Sequence, residues 1–172
     1  MLNLNRGVLE GKRIALLEQF GTSMRDWEAC ENPNWMLWIL DKLQLAEERV
    51  LWVFTFRCIH ETPTGPGQTL WDRVGDSKIR HAVDSTQQYA LDGDYTSTRR
   101  VAYLEALPAI REAYWHPTEE LVRQVMWTTL AWIAMDTAAW VTANAVSRAV
   151  ARIAEGDVRK FQCNMLRGMV QL

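Results

Sequence analysis

The chain has 172 residues, of which 48% are hydrophobic and 23% charged, and its formal net charge at pH 7 is −2. Its length and composition suit one globular domain, and the near-neutral charge disfavours a dedicated nucleic-acid-binding protein, which normally carries a basic face. The cysteines Cys30, Cys58 and Cys163 have neither disulfide-framework nor zinc-ligand spacing, and the first residues lack the apolar core of a signal peptide. We therefore expect free thiols, no cofactor and a cytoplasmic location.

Helical patterns follow one another along the first part of the chain, and no stretch alternates convincingly with the period of a strand. Apolar residues in the range 9–20 predict a first short helix that ends at Gly21. Asn34 is placed to cap the next well-marked helix, Trp35 to Leu43, which is apolar nearly all round and therefore expected to be buried. A further helix is predicted from Ala46 to Ile59.

The middle of the chain carries the one obvious loop, Thr62 to Gly67, because prolines and glycines crowd it. A connecting role is expected for this loop, with a recognition role as the alternative. Asp76 is placed to cap a helix from Ser77 to Leu91. Another helix is predicted from about Ser97, and it is bent or split at Pro108 because a proline removes a backbone donor.

The longest predicted helix opens near Pro117 and runs towards Glu155, where Gly156 closes it. Alanines are spread around this helix with three tryptophans between them, which indicates close packing on several sides. Part of it is long enough to span a membrane, but Asp136 at its centre would cost about 2.5–3.5 kcal/mol there. The pattern therefore predicts a buried central helix and no membrane partner.

The last segment is a short amphipathic helix whose apolar face consists of Val158, Phe161, Met165, Leu166 and Met169. No linker and no change of composition divides the chain. We predict an all-α fold in which residues 1–172 form a single-domain multi-helix bundle around a long alanine- and tryptophan-rich helix.

No catalytic or metal-binding motif emerges from the sequence: a P-loop, a dinucleotide fingerprint, HExxH and a nucleophile elbow are all missing. Cys58, His60 and Glu61 lie together, but nothing in the sequence supplies the third group of a nucleophilic site. His81 and Asp84 stand one helical turn apart, a spacing that suits a metal ion or, more often, a surface hydrogen bond. The sequence therefore predicts a protein that is not an enzyme.

Two segments carry a family resemblance. The stretch from Ala29 to Leu40, ACENPNWMLWIL, resembles the ACxxxxWMLWLL opening of a widespread set of small α-helical phage and prophage proteins. The stretch 76–94, with DSKIRHAVD and YALDGD, resembles their DxRxxxAIExAxxYAxGE segment and is similar to all-α immunity proteins of bacterial polymorphic toxin systems. This chain differs in its tryptophan-rich long helix and in its proline–glycine loop. The resemblance implies an all-α fold and supplies no catalytic residues.

Three functions remain open from the sequence. The leading hypothesis is a non-enzymatic inhibitor that binds a protein partner and occludes it, as an immunity protein does with its toxin or an anti-CRISPR-like phage protein does with a host defence complex. The nine tryptophans suit such binding. The second is a homodimeric or oligomeric phage accessory protein that uses a face with Trp35 and Trp38, or one with Met165 and Met169. The third is an enzyme built around Cys58, His60 or His81.

Four residues are predicted to bind the partner: Trp71, Asp92, Asp94 and Tyr95. Trp71 follows a glycine-rich loop and has no helical apolar face around it, and the other three form an acidic turn. We expect both segments to be exposed, and we expect no direct contact with nucleic acid.

Overall fold

The structure, a computed structural model, describes residues 24–75, 77–92, 139–154 and 156–170 and the single positions 18, 21, 122, 125, 126 and 129. These residues form six helices: α1 (Met24–Ala29), α2 (Pro33–Lys42), α3 (Glu48–Glu61), α4 (Ser77–Asp92), α5 (Ala139–Val150) and α6 (Val158–Met169). A two-stranded hairpin, β1 (Pro63–Gly65) and β2 (Gln68–Thr69), and a 3-10 turn, Trp71–Arg73, lie between α3 and α4. The predicted all-α, multi-helix fold is confirmed. The helix predicted from about Ser97 and the cap Asp76 lie outside the described residues. Of the first predicted helix (9–20) only Glu18 is described, and of the long predicted helix before Ala139 only the single positions 122, 125, 126 and 129 are described.

Helix α3 occupies the centre of the described part, where it packs against α4, α5, α6 and the 3-10 turn. Its buried residues cover most of its circumference: Leu51, Trp52, Phe54, Thr55, Phe56, Cys58 and Ile59. It begins and ends two residues later than predicted. Its last residue is followed by Thr62 in extended conformation (φ −66°, ψ 123°), because a residue before a proline is disfavoured in the helical region.

The start of α2 corrects one prediction, because its cap is Asn32 and not Asn34. The side-chain oxygen of Asn32 accepts hydrogen bonds from the backbone N–H groups of Asn34 (3.1 Å) and Trp35 (3.3 Å). Pro33 is the first helical residue, where a proline costs no hydrogen bond and its φ suits the helix. The asparagine before the proline is therefore the residue outside the helix, and it is free to cap.

The end of α2 is a Schellman motif. The N–H of Leu45 donates to the carbonyl of Leu40 at 3.0 Å. The N–H of Gln44 donates to the carbonyl of Asp41 at 3.2 Å. Gln44 adopts φ 51°, a left-handed conformation that costs a side-chain-bearing residue about 1–2 kcal/mol. Its own side-chain amide also donates to Asp41 O at 2.8 Å, which offsets part of this cost.

One face of α2 is open, so the helix that was expected to be buried is buried only in part. Trp38 is 39% exposed, and Trp35 is half-buried against the core. The buried residues of α2 face α5 and α6: Pro33, Met36, Leu37, Ile39 and Leu40.

Helix α5 is the described portion of the long predicted helix, and it packs against α2 and α3. Its buried residues recur at spacings of three and one along one stripe: Ala139, Thr142, Ala143, Val146, Ser147 and Val150. The helix ends at Val150, five residues before the predicted end. The N–H groups of Arg152 and Ile153 bond to carbonyls three residues back, which tightens the chain into a turn, and Gly156 follows with φ 74°.

Helix α6 confirms its predicted apolar face, with Val158, Met165 and Leu166 buried. Arg167 on α6 also holds α1 in place. Its Nε donates to the carbonyl of Trp27 at 3.3 Å, and its Nη2 donates to the carbonyl of Cys30. Carbonyls at a helix end lack partners within the helix, so this contact satisfies the end of α1 from the far end of the chain.

A buried polar pair joins α5 to α6. The Ser147 hydroxyl donates to the Gln162 side-chain oxygen at 2.9 Å, and the Gln162 amide donates back to the Ser147 carbonyl at 3.1 Å. Both residues are at most 1% exposed. Because the pair is reciprocal, neither group is left without a partner inside the core, and the register of α6 against α5 is specified.

Replacing one member of this pair should cost more than replacing both. Gln162→Leu keeps the side-chain size but leaves the Ser147 hydroxyl buried and unpaired, so we expect the free energy of unfolding to fall by about 1–3 kcal/mol. The double variant Ser147→Ala with Gln162→Leu removes both groups and should recover part of that loss. Denaturant unfolding of the three proteins measures both differences. A double variant less stable than Gln162→Leu would contradict the reciprocal pairing.

Candidate protein-binding site at the hairpin

The segment predicted as a plain loop is a short antiparallel hairpin that projects from the helices. Pro63 pairs with Thr69 and Gly65 with Gln68, with an irregularity between the two pairs. Pro66 and Gly67 occupy the tip, and Gly67 has φ 69°, the conformation that the third position of a type II turn requires. The sequence did not predict these strands, because strands of two and three residues are too short to show an alternating pattern.

The hairpin is attached to the core at its base. The N–H of Leu70 donates to the carbonyl of Thr62 at 2.8 Å, and both residues are fully buried. Thr64 is buried as well, whereas Pro63 and the residues from Pro66 to Gln68 are exposed. The exposed tip is therefore held by a buried base, which limits the conformational freedom of the hairpin.

Thr69 and Asp72 lock the turn that follows the hairpin. The Asp72 carboxylate accepts from the backbone N–H (2.7 Å) and the hydroxyl (2.8 Å) of Thr69, and the Asp72 N–H donates to that hydroxyl at 3.3 Å. The backbone hydrogen bond from Thr69 is the main reason that the pKa of Asp72 lies below its ordinary value, and the hydroxyl adds to it. Trp71 lies between Thr69 and Asp72, so these bonds fix the backbone on both sides of it.

Trp71 lies between a histidine from α3 and an arginine from α4. The ring centroids of His60 and Trp71 are 4.2 Å apart with a tilt of 39°. The Arg80 guanidinium lies 5.3 Å from the centroid of the Trp71 ring, within the range of a cation–π contact. Arg80 also donates to the carbonyls of Val74 (2.6 Å) and Trp71 (3.1 Å). Trp71 is thus a half-buried, held aromatic ring and not a freely moving one.

Burial lowers the pKa of His60 below its ordinary value of 6.5. Asp84, Gln87 and Glu61 act in the opposite direction, since two carboxylates and an amide favour the charged form, but they do not cancel the effect of burial. At pH 7 the neutral imidazole is therefore the favoured form beside Trp71 in the folded protein.

The structure separates the residues that were predicted to bind the partner. Trp71 lies beside Arg80 in the second turn of α4, whereas Asp92 is the last residue of that helix. Twelve helical residues place Asp92 about 18 Å farther along the axis. Asp94 and Tyr95 lie outside the described residues. Of the four predicted binding residues, Trp71 is therefore the one whose side-chain surroundings the structure describes.

The residues considered for catalysis have different surroundings. Cys58 is completely buried, and this burial raises the pKa of its thiol, so the reactive thiolate is disfavoured. His81 and Asp84 are both exposed on α4. Within the described stretches of the chain, no three His, Cys, Asp or Glu side chains form a group that could hold a metal ion.

Two residues that hold Trp71 and its turn, Arg80 and Asp72, were not identified from the sequence. Asp72 could have been recognised, because Thr69-Leu70-Trp71-Asp72 has the spacing of a capping box, in which a hydroxyl and an acid three residues on bond reciprocally. Arg80 had no comparable signal, since its contacts to Val74 and Trp71 arise from the way α4 folds back on the turn.

Comparison with known proteins adds no relative: no protein-family model, no curated protein and no solved structure matches this chain. In the part of the chain that the structure describes, every helix is too short or too polar to cross a membrane.

The packing of neutral His60 predicts a pH dependence of stability. Because its pKa is lower in the folded than in the unfolded protein, the unfolded chain binds more protons as the pH falls through 6.5. The free energy of unfolding should therefore decrease as the pH falls from about 7.5 to about 5.5, and this decrease should be smaller in His60→Gln. Urea unfolding across this range measures it. The control is His81→Gln, which changes an exposed histidine and should show the same decrease as the wild type. An equal decrease in the free energy of unfolding in wild type and His60→Gln would contradict the prediction.

Proposed function

We propose that this chain is a non-enzymatic protein that binds a macromolecular partner and blocks it by occlusion. The observation that carries the proposal is the surface formed by the hairpin tip and Trp71, which we call the hairpin surface (residues 63–73). An exposed tip and a half-buried tryptophan are held together on a buried base. Binding residues are often found on loops that a rigid scaffold positions, and tryptophan is the residue type most enriched among those that dominate binding energy.

The contacts of Trp71 support this role beyond its residue type. Its ring is held by His60 on one element and Arg80 on another, so little side-chain freedom is lost when a partner covers it. Charged residues flank it, with Asp72 exposed, Arg73 half-buried and Arg80 near the ring. A central aromatic ring with a polar rim is the usual arrangement at a protein–protein interface.

The partner that we propose is either a toxin or a host defence complex. The resemblance of segments 29–40 and 76–94 to phage proteins and to immunity proteins supports this choice. The slightly acidic chain also suits such partners, because proteins that act on nucleic acids present basic grooves that an acidic surface complements.

Replacing Trp71 tests the proposal. We expect Trp71→Ala to weaken binding of the partner by roughly 30-fold. This factor corresponds to the loss of about 2 kcal/mol of binding free energy, which is typical of a residue that dominates an interface. The partner is first captured from a lysate of the host bacterium by the tagged chain and identified by mass spectrometry, and affinity is then measured with purified proteins. Trp35→Ala, which removes another half-buried tryptophan, is the control for lost packing and should bind as the wild type does. A lower melting temperature with unchanged affinity in Trp71→Ala would contradict the proposal.

Self-association is the second candidate function, and exposed Trp38 on α2 favours it. Of the large hydrophobic side chains that the structure describes, Trp38 is the exposed one. The other face suggested by the sequence is not available in the same way, since Met165 is buried and Met169 is half-buried.

Light scattering after size exclusion tests this candidate. If the chain self-associates through α2, its mass should rise with concentration, and Trp38→Ala should return it to the monomer, because the exposed indole would be the centre of the contact. A monomeric mass at every concentration would exclude the assembly role.

A further inference from the structure

A concave surface lies at the other end of α3 from the hairpin, where α2 leads into α3 and the first turn of α5 closes one side. This cleft has a volume of about 230 Å³. The residues that line it are Leu40, Asp41, Gln44, Ala46, Glu48, Leu51, Ala139 and Trp140. We call it the corner cleft.

The corner cleft has an apolar floor and an acidic rim. Leu40, Leu51 and Ala139 are at most 5% exposed and belong to the hydrophobic core, so they form the floor. The two charged residues among its lining are both acidic, Asp41 and Glu48. The cleft adjoins both the carboxyl end of α2 and the amino end of α3, whose partial charges oppose each other, so its negative charge comes from the two carboxylates. An apolar floor below negative charge favours a ligand with an apolar stem and a cationic end.

The Glu48 carboxylate is held in place before any ligand binds. Its Oε1 accepts a hydrogen bond from the indole N–H of Trp52 at 3.1 Å, and Trp52 is completely buried. Glu48 also stands at the first position of α3, where the positive end of the helix stabilises a carboxylate. A carboxylate that is already oriented loses less entropy on binding a cation than a freely moving one.

Asp41 and Gln44 complete the rim through the end of α2. The Gln44 side chain is tied to Asp41 O at 2.8 Å, and this bond holds the residue at the edge of the cleft. Lys42 lies 4.0 Å from Asp41, but this exposed contact between neighbouring residues is long and is weakened by solvent. A better-placed cation can therefore compete for the Asp41 carboxylate.

Size and shape restrict the ligand further. Pockets that take drug-sized ligands or cofactors span about 300–1,000 Å³, so the corner cleft suits a smaller group such as one side chain. Trp140 forms a half-buried wall, and a planar guanidinium stacks on an indole and pairs with carboxylates more readily than an ammonium does. We propose that the corner cleft binds an arginine side chain presented by a partner protein. This rests on the proposed function for the source of the arginine, while the cleft itself can be tested without any partner.

The test is a titration of the full chain by ¹H–¹⁵N NMR with Nα-acetyl-arginine N-methylamide. We expect saturable shifts of the Trp140 indole N–H and of the backbone around Glu48, with a dissociation constant in the millimolar range. The matched probe is the citrulline analogue, which has the same stem without the charge. It should bind about fivefold more weakly, because hydrogen bonds to charged groups are worth more than neutral ones.

The matched variants are Glu48→Gln and Glu47→Gln. Glutamine at 48 retains an oxygen for the Trp52 indole and removes only the charge, so we expect arginine binding to weaken about fivefold. Glu47 is exposed and does not line the cleft, so the same change there should have little effect. Equal binding of the two probes, no shift at Trp140, or equal loss in both variants would overturn the proposal.

One further probe distinguishes a side chain from a free small cation. If n-butylguanidinium binds and the amide-flanked arginine does not, the cleft takes a free cation and the assignment to a partner's arginine is wrong. Because the titration uses no partner and leaves Trp71 unchanged, its outcome is independent of the capture experiment. A failed capture with a successful titration would contradict the proposed function alone, and the reverse would contradict the arginine site alone.

Discussion

The burial of α3 on most of its circumference is the constraint on which the rest of the described structure depends. Phe54, Phe56 and Ile59 are almost wholly removed from solvent, and each such side chain contributes about 1.5–3 kcal/mol when it leaves water. To bury several sides of one helix, the chain must bring other helices to it from different directions, and α4, α5 and α6 do this. Both ends of α3 must then connect to the surface, and both proposed binding surfaces lie at these ends.

At the carboxyl end of α3, the chain leaves the core through Thr62 and returns through Leu70, so the hairpin is closed at its base by buried residues. Arg80 then joins α4 to the turn after the hairpin by binding two of its carbonyls. His60 contributes from α3 to the same cluster. The position of Trp71 is therefore determined by three separate elements, and a change in the packing of α4 on α3 would alter it.

At the amino end of α3, the Schellman motif of α2 reverses the chain without a glycine. Gln44 takes the left-handed position that glycine usually occupies, and its side chain then lies at the rim of the corner cleft. Glu48 lines the same cleft, and its carboxylate accepts a hydrogen bond from the indole N–H of Trp52, one turn later on α3. The hairpin surface and the corner cleft thus belong to one helix, and a partner large enough to span its 14 residues, about 21 Å, could contact both.

The sequence by itself determined the helical class and the buried face of α6, because hydrophobic residues at helical spacing report directly which side leaves water. It determined the helix boundaries less well, since Asn32 and Asn34 both flank Pro33 in a way that permits capping, and only the backbone shows which one does so. It could not reveal the hairpin, whose strands are too short for a pattern. Only the tertiary structure brought His60, Trp71 and Arg80 together and opened a cleft between Glu48 and Trp140. These contacts join residues on different elements. Hydrophobic periodicity specifies which face of a helix is buried, but it does not specify which neighbour buries that face.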